Sequence, residues 1–265
     1  MGYRTAMMHG LNVIHERALG TNLFLEVVSK IRKVDMEIRR VPGTTLKNQH
    51  GEVIYTPPVG EATIRDLLKN LEKFIHAEDE LDPLIKLAVM HYQFEAIHPF
   101  TDGNGRTGRI GNILYLVGRK LLTWPVLYLS DYILRNKAEY YALLRAVTEK
   151  SAWEPWVLFM LKAIQVTSIQ TSLRVVRILL LMEETKELVS KRASGIYSWD
   201  LIQVVFQNPY CKIRFVEDAG LAKRQTASAY LQKLEELGVL KARKIGREMY
   251  YINEALIKTL SASEG

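Results

Sequence analysis

The chain of 265 residues has a single cysteine, Cys211, and no cluster of cysteine and histidine at zinc-ligand spacing. One cysteine excludes an internal disulfide and is typical of reducing compartments, and the missing cluster excludes a structural zinc module. No apolar run reaches the roughly 18 residues that a membrane-spanning helix needs, and the start lacks a signal-peptide pattern. We therefore expect a cytoplasmic protein with no membrane contact.

Two common phosphate-binding motifs are also missing. No Gly-Lys-Ser/Thr sequence of the P-loop type occurs, and the glycines do not follow a strand in the pattern Gly-x-Gly-x-x-Gly. The formal net charge of +7 would suit ATP, an acidic partner or nucleic acid, and does not choose among them. With 48% apolar residues, the chain is long enough for one large domain and a small one.

The most informative segment is His98-Pro-Phe-Thr-Asp-Gly-Asn-Gly-Arg-Thr-Gly-Arg109, which precedes the apolar, helix-prone run Ile110–Leu122. Its glycines let a ligand approach the main chain closely, and consecutive N–H groups in such a turn can bind an anion. A helix that begins near residues 104–106 would add its N-terminal N–H groups and its dipole. The segment therefore predicts a polyphosphate site at a helix N-terminus.

Four side chains of this segment suit the same chemistry. Arg106 and Arg109 lie three residues apart, so both can lie on one helix face and bind phosphate oxygens. Asp102 is a hard oxygen ligand for one position of a Mg²⁺ ion, whose other ligands would be phosphates and water. His98 has an ordinary pKa that suits taking a proton from a hydroxyl near neutral pH. Each side chain alone is more often structural, but their combination predicts catalysis on phosphates.

The segment resembles the Fic motif, His-x-Phe-x-Asp/Glu-Gly-Asn-Gly-Arg-x-x-Arg, at every defined position. Val41–Asn48, Gly51–Pro58 and His91–Ile97 also resemble bacterial Fic proteins that carry a C-terminal winged helix. The resemblance implies a mainly α fold, in which a helical Fic domain with a β-hairpin flap is followed by a small α+β winged-helix domain. It also implies a protein adenylyltransferase, an enzyme that transfers AMP from ATP to a Ser, Thr or Tyr hydroxyl of target proteins and of itself, releasing pyrophosphate.

The resemblance further implies a role for each motif residue. His98 resembles the catalytic base, Asp102 resembles the Mg²⁺ ligand, and Phe100 resembles a structural anchor. The implied ATP-binding residues form the anion hole and the phosphate clamps of the motif: Gly103, Asn104, Gly105, Arg106, Thr107, Gly108 and Arg109. In the family, a tyrosine from a later helix lines the adenine pocket. Tyr140 and Tyr141 are the candidates here, with ordinary core packing as the alternative for each.

Apolar periodicity predicts a series of helices, namely Met1–Ile14, Leu23–Val34, Ala62–Ala77, Asp82–Phe94, Ile110–Leu122, Asp131–Glu149, Trp153–Val166 and Leu173–Lys191. Arg39–Pro58 is predicted to be a β-hairpin with its tip at Asn48–Gly51. The resemblance implies that the flap Lys47–Thr56 pairs with an extended segment of the target. The predicted domains are a catalytic domain over residues 1–170, a connecting helix over residues 171–194 and a winged helix over residues 195–265.

The C-terminal region predicts three helices, over Leu201–Val205, Ile213–Ala219 and Thr226–Leu237. A strand from Leu237, a basic loop over Lys241–Arg247 and a strand over Met249–Ile252 are predicted to follow. This order is typical of a winged helix. The start of the second motif helix could present side chains to a DNA groove, at Lys223, Arg224 and Gln225. The wing could contact backbone phosphate, at Arg243, Lys244 and Arg247. Winged helices also dock proteins or support homodimers, so these partners stay open. The alternative function is a DNA-binding regulator with a nucleotide-sensing Fic domain.

Many Fic proteins carry an inhibitory helix with the pattern Ser/Thr-x-x-x-Glu-Gly/Asn, whose glutamate pairs with the second motif arginine. No segment here fits that pattern. Glu264-Gly265 comes closest, but Leu260 stands where Ser or Thr is required. In winged-helix relatives this helix lies upstream of the position where the present chain begins. Two expectations remain open: either this is a shortened form in which Arg109 is released, or a separate partner supplies the glutamate.

Overall fold

The computed structural model describes residues 2–47 and 53–261. The chain forms two compact units, Met1–Ser168 and Ile169–Gly265, and each unit has its own apolar core. The domain limits predicted from the sequence, after residues 170 and 194, stay predictions.

The first unit is built mainly from helices, as the sequence predicts. Its helices are α1 (Gly2–Ile14), α2 (Thr21–Arg32), α3 (Glu61–His76), α4 (Pro83–Ile97), α5 (Asn104–Gly118), α6 (Leu129–Arg135), α7 (Lys137–Lys150) and the first part of α8 (Trp153–Arg192). α1, α2 and α4 all pack against α5, so the helix that follows the candidate phosphate loop lies in the middle of the core.

Helix α4 delivers the chain to the candidate catalytic loop. Its N-terminus is capped by Asp82, whose carboxylate accepts a hydrogen bond from the Leu84 N–H at 2.7 Å, and Pro83 occupies the first turn as predicted. The buried side chains of α4 lie on several sides of the helix and do not form a single apolar stripe. At the other end His98 adopts the left-handed conformation, with φ 49°, and terminates the helix. His98 is therefore positioned by the end of the largely buried helix α4.

The single helix predicted over Asp131–Glu149 is wrong. Helix α6 ends at Arg135 and α7 begins at Lys137, because Asn136 leaves the helical conformation with φ −109° and ψ 35°. The side-chain amide of Asn136 donates to the Tyr132 carbonyl at 2.9 Å. A local bond of this kind competes with the helical hydrogen bonds, which is why asparagine favours such positions.

The two stretches predicted as helical, Trp153–Val166 and Leu173–Lys191, form one helix, because α8 runs without a break from Trp153 to Arg192. The intervening residues are polar except for Ile169, and they include no glycine or proline to end a helix. Among the described helices, α8 is long and apolar enough, by length and composition, to cross a membrane. Within the protein, 11% of its apolar 18-residue stretch is buried. Core helices of soluble proteins and signal sequences pass the same test.

The predicted β-hairpin is confirmed only in part. β1 (Leu46–Lys47) pairs antiparallel with β2 (Val53–Tyr55), and the predicted tip Asn48–Gly51 lies outside the described residues. The predicted hairpin began at Arg39, whereas β1 begins only at Leu46. The backbone N–H of Arg39 instead donates to the Pro99 carbonyl at 3.0 Å, which ties this segment to the candidate catalytic loop.

The second unit has the predicted α+β composition. After the end of α8 come α9 (Trp199–Phe206), β3 (Tyr210–Cys211), α10 (Ile213–Asp218), α11 (Arg224–Glu236), β4 (Lys241–Ile245), β5 (Glu248–Ile252) and α12 (Glu254–Ser261). The antiparallel sheet has the order β3-β5-β4. The predicted basic loop is shorter than expected, because Gly246 takes a φ of 61° and lets the chain reverse within two residues. Arg243 and Lys244 consequently lie in β4.

Candidate active site

The loop between α4 and α5 is closed by the side chain of Asn104. Its amide donates to the Phe100 carbonyl at 2.7 Å, and its carbonyl oxygen accepts from the Phe100 N–H at 2.9 Å. Asn104 is 2% exposed, and the Phe100 ring is completely buried, as predicted for an anchor. The Asn104 side chain therefore braces the loop, and what it can offer a ligand is its backbone N–H.

The N-terminus of α5 has the form of an anion site. Gly103 precedes the helix with a φ of 90°, and a Cβ at this position would lie 3.0 Å from a Val28 methyl group. The first helical hydrogen bond runs from the Thr107 N–H to the Gly103 carbonyl at 2.9 Å. The N–H groups of residues 104–106 therefore have no acceptor inside the helix and can point toward an anion.

His98 is held in place by an arginine that the sequence analysis missed. The guanidinium of Arg39, a residue that is 3% exposed, donates through Nε to the His98 carbonyl at 2.7 Å. It also donates to the carbonyls of Ile97, at 3.2 Å, and Pro58. Burial, together with the nearby Arg39 charge, lowers the pKa of His98 to about 4. The imidazole is therefore neutral at pH 7 and able to accept a proton.

Asp102 lies at the exposed end of the loop, with 53% of its side chain accessible. Its carboxylate accepts from the Gly103 N–H at 2.5 Å, forms an ion pair with Arg32, and lies 3.7 Å from the Arg106 guanidinium. The described residues contain no group of three or more His, Cys, Asp or Glu side chains that could enclose a metal ion. Asp102 thus fits a Mg²⁺ site with one protein carboxylate and ligands from phosphates and water.

Arg109 faces a carboxylate that the sequence analysis also missed. A Cβ built on Gly105 would lie 3.1 Å from a terminal nitrogen of Arg109 and 3.9 Å from Oε1 of Glu95. Arg106 instead turns back toward Asp102. The only sequence signal for Glu95 was its spacing, since a charged residue three positions before His98 lies on the same helical face.

The remaining predicted ATP-binding residues differ in how accessible they are. Thr107 is fully buried, so its predicted role is restricted to its backbone, and Gly108 is also buried. Tyr140 is 4% exposed and its hydroxyl lies 2.9 Å from Nε2 of His91, within a cluster of aromatic rings. Tyr141 is 41% exposed. Tyr140 therefore packs in the core, whereas the ring of Tyr141 is accessible to an adenine base. Adenine contact stays a prediction for both.

Comparison with known families covers both units. A model described as the Fic/DOC family matches residues 9–116, and a model of the C-terminal domain of SoFic-like protein adenylyltransferases matches residues 181–256. Together they account for more than half of the chain. The chain belongs to the Fic family. The whole segment from His98 to Arg109 lies inside the first match, whereas Tyr140 and Tyr141 lie outside both.

Individual Fic relatives are similar over the catalytic region. Protein adenylyltransferase fic-1 of Caenorhabditis elegans is 34% identical over 107 residues, which are 40% of this chain and 20% of that protein. A probable protein adenylyltransferase of Aquifex aeolicus is 33% identical over 95 residues, or 36% of this chain and 27% of that protein. The chain thus spans about a fifth to a quarter of these curated relatives.

A solved Fic family protein from Desulfovibrio desulfuricans G20 has a similar fold. The match has a TM-score of 0.54 at 17% sequence identity and covers 94% of this chain and 74% of that chain. At this identity the likeness supports the fold alone. It agrees with the predicted fold class, a mainly helical Fic-type protein.

Proposed function

We propose that this Fic protein is an adenylyltransferase that moves AMP from ATP to a Ser, Thr or Tyr hydroxyl of a target protein, including its own chain. One observation carries the proposal. His98, whose imidazole is kept neutral by burial, lies in the same short loop as the Asp102 carboxylate, directly before the N-terminus of α5. Fic relatives named protein adenylyltransferases match the region that contains this loop.

The chemistry assigned to the loop requires one bond to form and one to break. The hydroxyl oxygen of the target attacks the α-phosphorus of ATP, the bond to the β-phosphate oxygen breaks, and His98 takes the hydroxyl proton. The N–H groups at the start of α5, together with Arg106 and Arg109, stabilise the negative charge on the leaving pyrophosphate. Asp102 would hold Mg²⁺, which when bound neutralises phosphate charge.

The flap supports a protein target. The hydroxyl of Tyr55, in β2, donates to the Ala96 carbonyl at 2.9 Å, two residues before His98. The described flap strand is therefore attached to the helix that carries the proposed base. An extended segment of the target that pairs along the flap Lys47–Thr56 would bring its hydroxyl toward His98, with main-chain hydrogen bonds and loose sequence demands.

Label position in ATP tests the reaction directly. We expect label from the α-phosphate to become attached to the chain and to proteins of a cell lysate when Mg²⁺ is present, because AMP carries that phosphate. Label on the γ-phosphate should leave as pyrophosphate and stay unattached. Attachment of the γ-label instead would overturn AMP transfer in favour of phosphate transfer.

The ion pair between Arg32 and Asp102 should oppose Mg²⁺ binding. Replacing Arg32 by alanine frees the Asp102 carboxylate and removes a positive charge from its side. We expect the Mg²⁺ concentration for half-maximal AMP transfer to fall by up to about fivefold, since an exposed ion pair contributes up to ~1 kcal/mol. Arg65→Ala, which breaks an exposed ion pair with Glu61, is the matched control. An unchanged or higher Mg²⁺ requirement in Arg32→Ala would contradict the assignment of Asp102.

The alternative of a DNA-binding regulator rests on the second unit, where Arg243, Lys244 and Arg247 are exposed. Exposed cations suit phosphate contact, but acidic side chains share this surface, and Lys212 is paired with Glu248. The reaction at His98 is therefore the better-supported function. A cytoplasmic location and a homodimer remain parts of the proposal that follow from the sequence and the family resemblance.

A further inference from the structure

Glu95 occupies a constrained position in the last turn of α4. Its Oε1 atom is buried and has no hydrogen-bond partner in the described part of the chain. A Cβ added to Gly108 would lie 2.7 Å from this oxygen and 3.0 Å from the Phe94 ring. The glycine at position 108 thus leaves room for the Glu95 carboxyl to lie against α5, inside the proposed nucleotide site.

Arg109, whose charge acts on Glu95, also has a buried atom without a hydrogen-bond partner in the described part of the chain. Nε of Arg109 is buried and also lacks a hydrogen-bond partner among the described residues. The guanidinium and the Glu95 carboxyl border the same point beside Gly105. No ion pair within 4.0 Å joins them in the described part of the chain. Both groups are therefore free of a mutual ion pair, and a bound ligand can interact with either of them.

Four titratable side chains near Glu95 and Arg109 carry no charge near pH 7. From α7, Tyr140 and Tyr141 lie close enough to influence it electrostatically, and burial raises the pKa of both phenols above their ordinary value. His91, on the same helix as Glu95, contacts Tyr140 and has its pKa lowered to about 3 by burial. Tyr3, which faces Arg109 from α1, also has a raised pKa because of burial. The charge state of Glu95 is therefore set by its burial and, among charged groups, by Arg109, which opposes the effect of burial.

We propose that the Glu95 carboxyl, beside Arg109, becomes protonated when the terminal phosphates of a nucleoside triphosphate bind, so that nucleotide binding is accompanied by proton uptake from solvent. This inference rests on the proposed function, because it assumes that a nucleoside triphosphate occupies the α5 site. Bound phosphates engage the Arg109 charge and add negative charge beside the carboxyl. An O–H bond then forms on Glu95, which removes the repulsion and leaves a neutral group that can donate a hydrogen bond.

The free protein is suited to this exchange. Burial raises the pKa of Glu95 to about 7, against the opposing influence of Arg109. At pH 7 the carboxyl is therefore about half protonated, and a further rise in its pKa on binding completes the protonation. Linkage then requires that the nucleotide binds more tightly as the pH falls from 8 to 6.

Calorimetry of the full chain tests the inference. The probe is an ATP analogue with a methylene group between the α- and β-phosphates, which prevents AMP transfer, in the presence of Mg²⁺. Binding heats in two buffers of different ionisation enthalpy give the number of protons taken up. We expect about half a proton at pH 7, and an affinity that increases by up to about tenfold from pH 8 to pH 6.

Glu95→Gln, which keeps the side-chain shape, should lose the proton uptake and most of the pH dependence. Protonation of the analogue itself is common to both proteins and cancels in the comparison. In the unmodified chain, AMP should bind with little uptake, since it lacks the phosphates assigned to Arg109; this arm does not depend on a variant. Equal uptake with Glu95→Gln would overturn the inference while leaving the nucleotide site intact. Failure of the analogue to bind either protein would overturn the site as well.

Discussion

Replacement of His98 by alanine is expected to reduce the attachment of α-labelled AMP by about 10²- to 10⁴-fold, the usual contribution of a positioned general base. Burial keeps the His98 ring neutral at pH 7, and no other histidine of the chain lies in the loop between α4 and α5. Binding of the methylene analogue of ATP should change little, because the α5 N-terminus and both arginines remain. The measurement is the initial rate of label attachment at saturating ATP and Mg²⁺.

The backbone at His98 calls for a second variant. With a φ of 49°, His98 occupies the left-handed region, which alanine adopts at some cost and asparagine tolerates better. His98→Asn therefore preserves the backbone preference and removes the base, and it should be as inactive as His98→Ala. His15→Ala, at an exposed site in the first unit, is the control and should retain full activity. Activity within threefold of the unmodified chain in His98→Asn would show that the alanine effect was structural.

Replacement of Trp156 by alanine should lower the free energy of unfolding of the first unit by about 3–5 kcal/mol. Trp156 is completely buried, its indole N–H donates to the Ala88 carbonyl of α4 at 2.8 Å, and its ring stacks near His91 with a 6.1 Å centroid separation. Alanine removes this packing and the hydrogen bond from the indole to the Ala88 carbonyl. The measurement is urea denaturation followed by circular dichroism.

Two variants bracket the Trp156 effect. Trp156→Phe keeps much of the apolar volume and loses only the hydrogen bond and some packing, so its cost should be about 1–2 kcal/mol. Trp124 is 67% exposed, and Trp124→Ala should change stability by no more than about 0.5 kcal/mol. Should Trp156→Ala unfold at the same urea concentration as Trp124→Ala, the α8 packing against α4 would not be what stabilises this unit.

Local sequence signals predicted those features whose causes are local. The Asp82-Pro83 pair started α4, apolar periodicity located the helices of the first unit, and the glycines around Asn104 located the start of α5. They failed where a single polar residue decided the outcome. Asn136 interrupts a helical pattern through one side-chain bond to Tyr132, and Arg39 removes its segment from the hairpin by bonding to the carbonyls beside His98. Neither hydrogen bond can be recognised from the spacing of apolar and polar residues in the sequence.

The sequence by itself determined the family motif, the mainly helical class and the side chains of the reaction, because all of these lie within one continuous segment or repeat at helical spacing. The tertiary structure decided which of those groups meet others. It paired Asp102 with Arg32, buried Tyr140 against His91, and brought the Glu95 carboxyl to Arg109 across the glycines of α5. Such contacts join different elements of the fold, and their effects on charge and pKa depend on burial, which exists only once the core has packed.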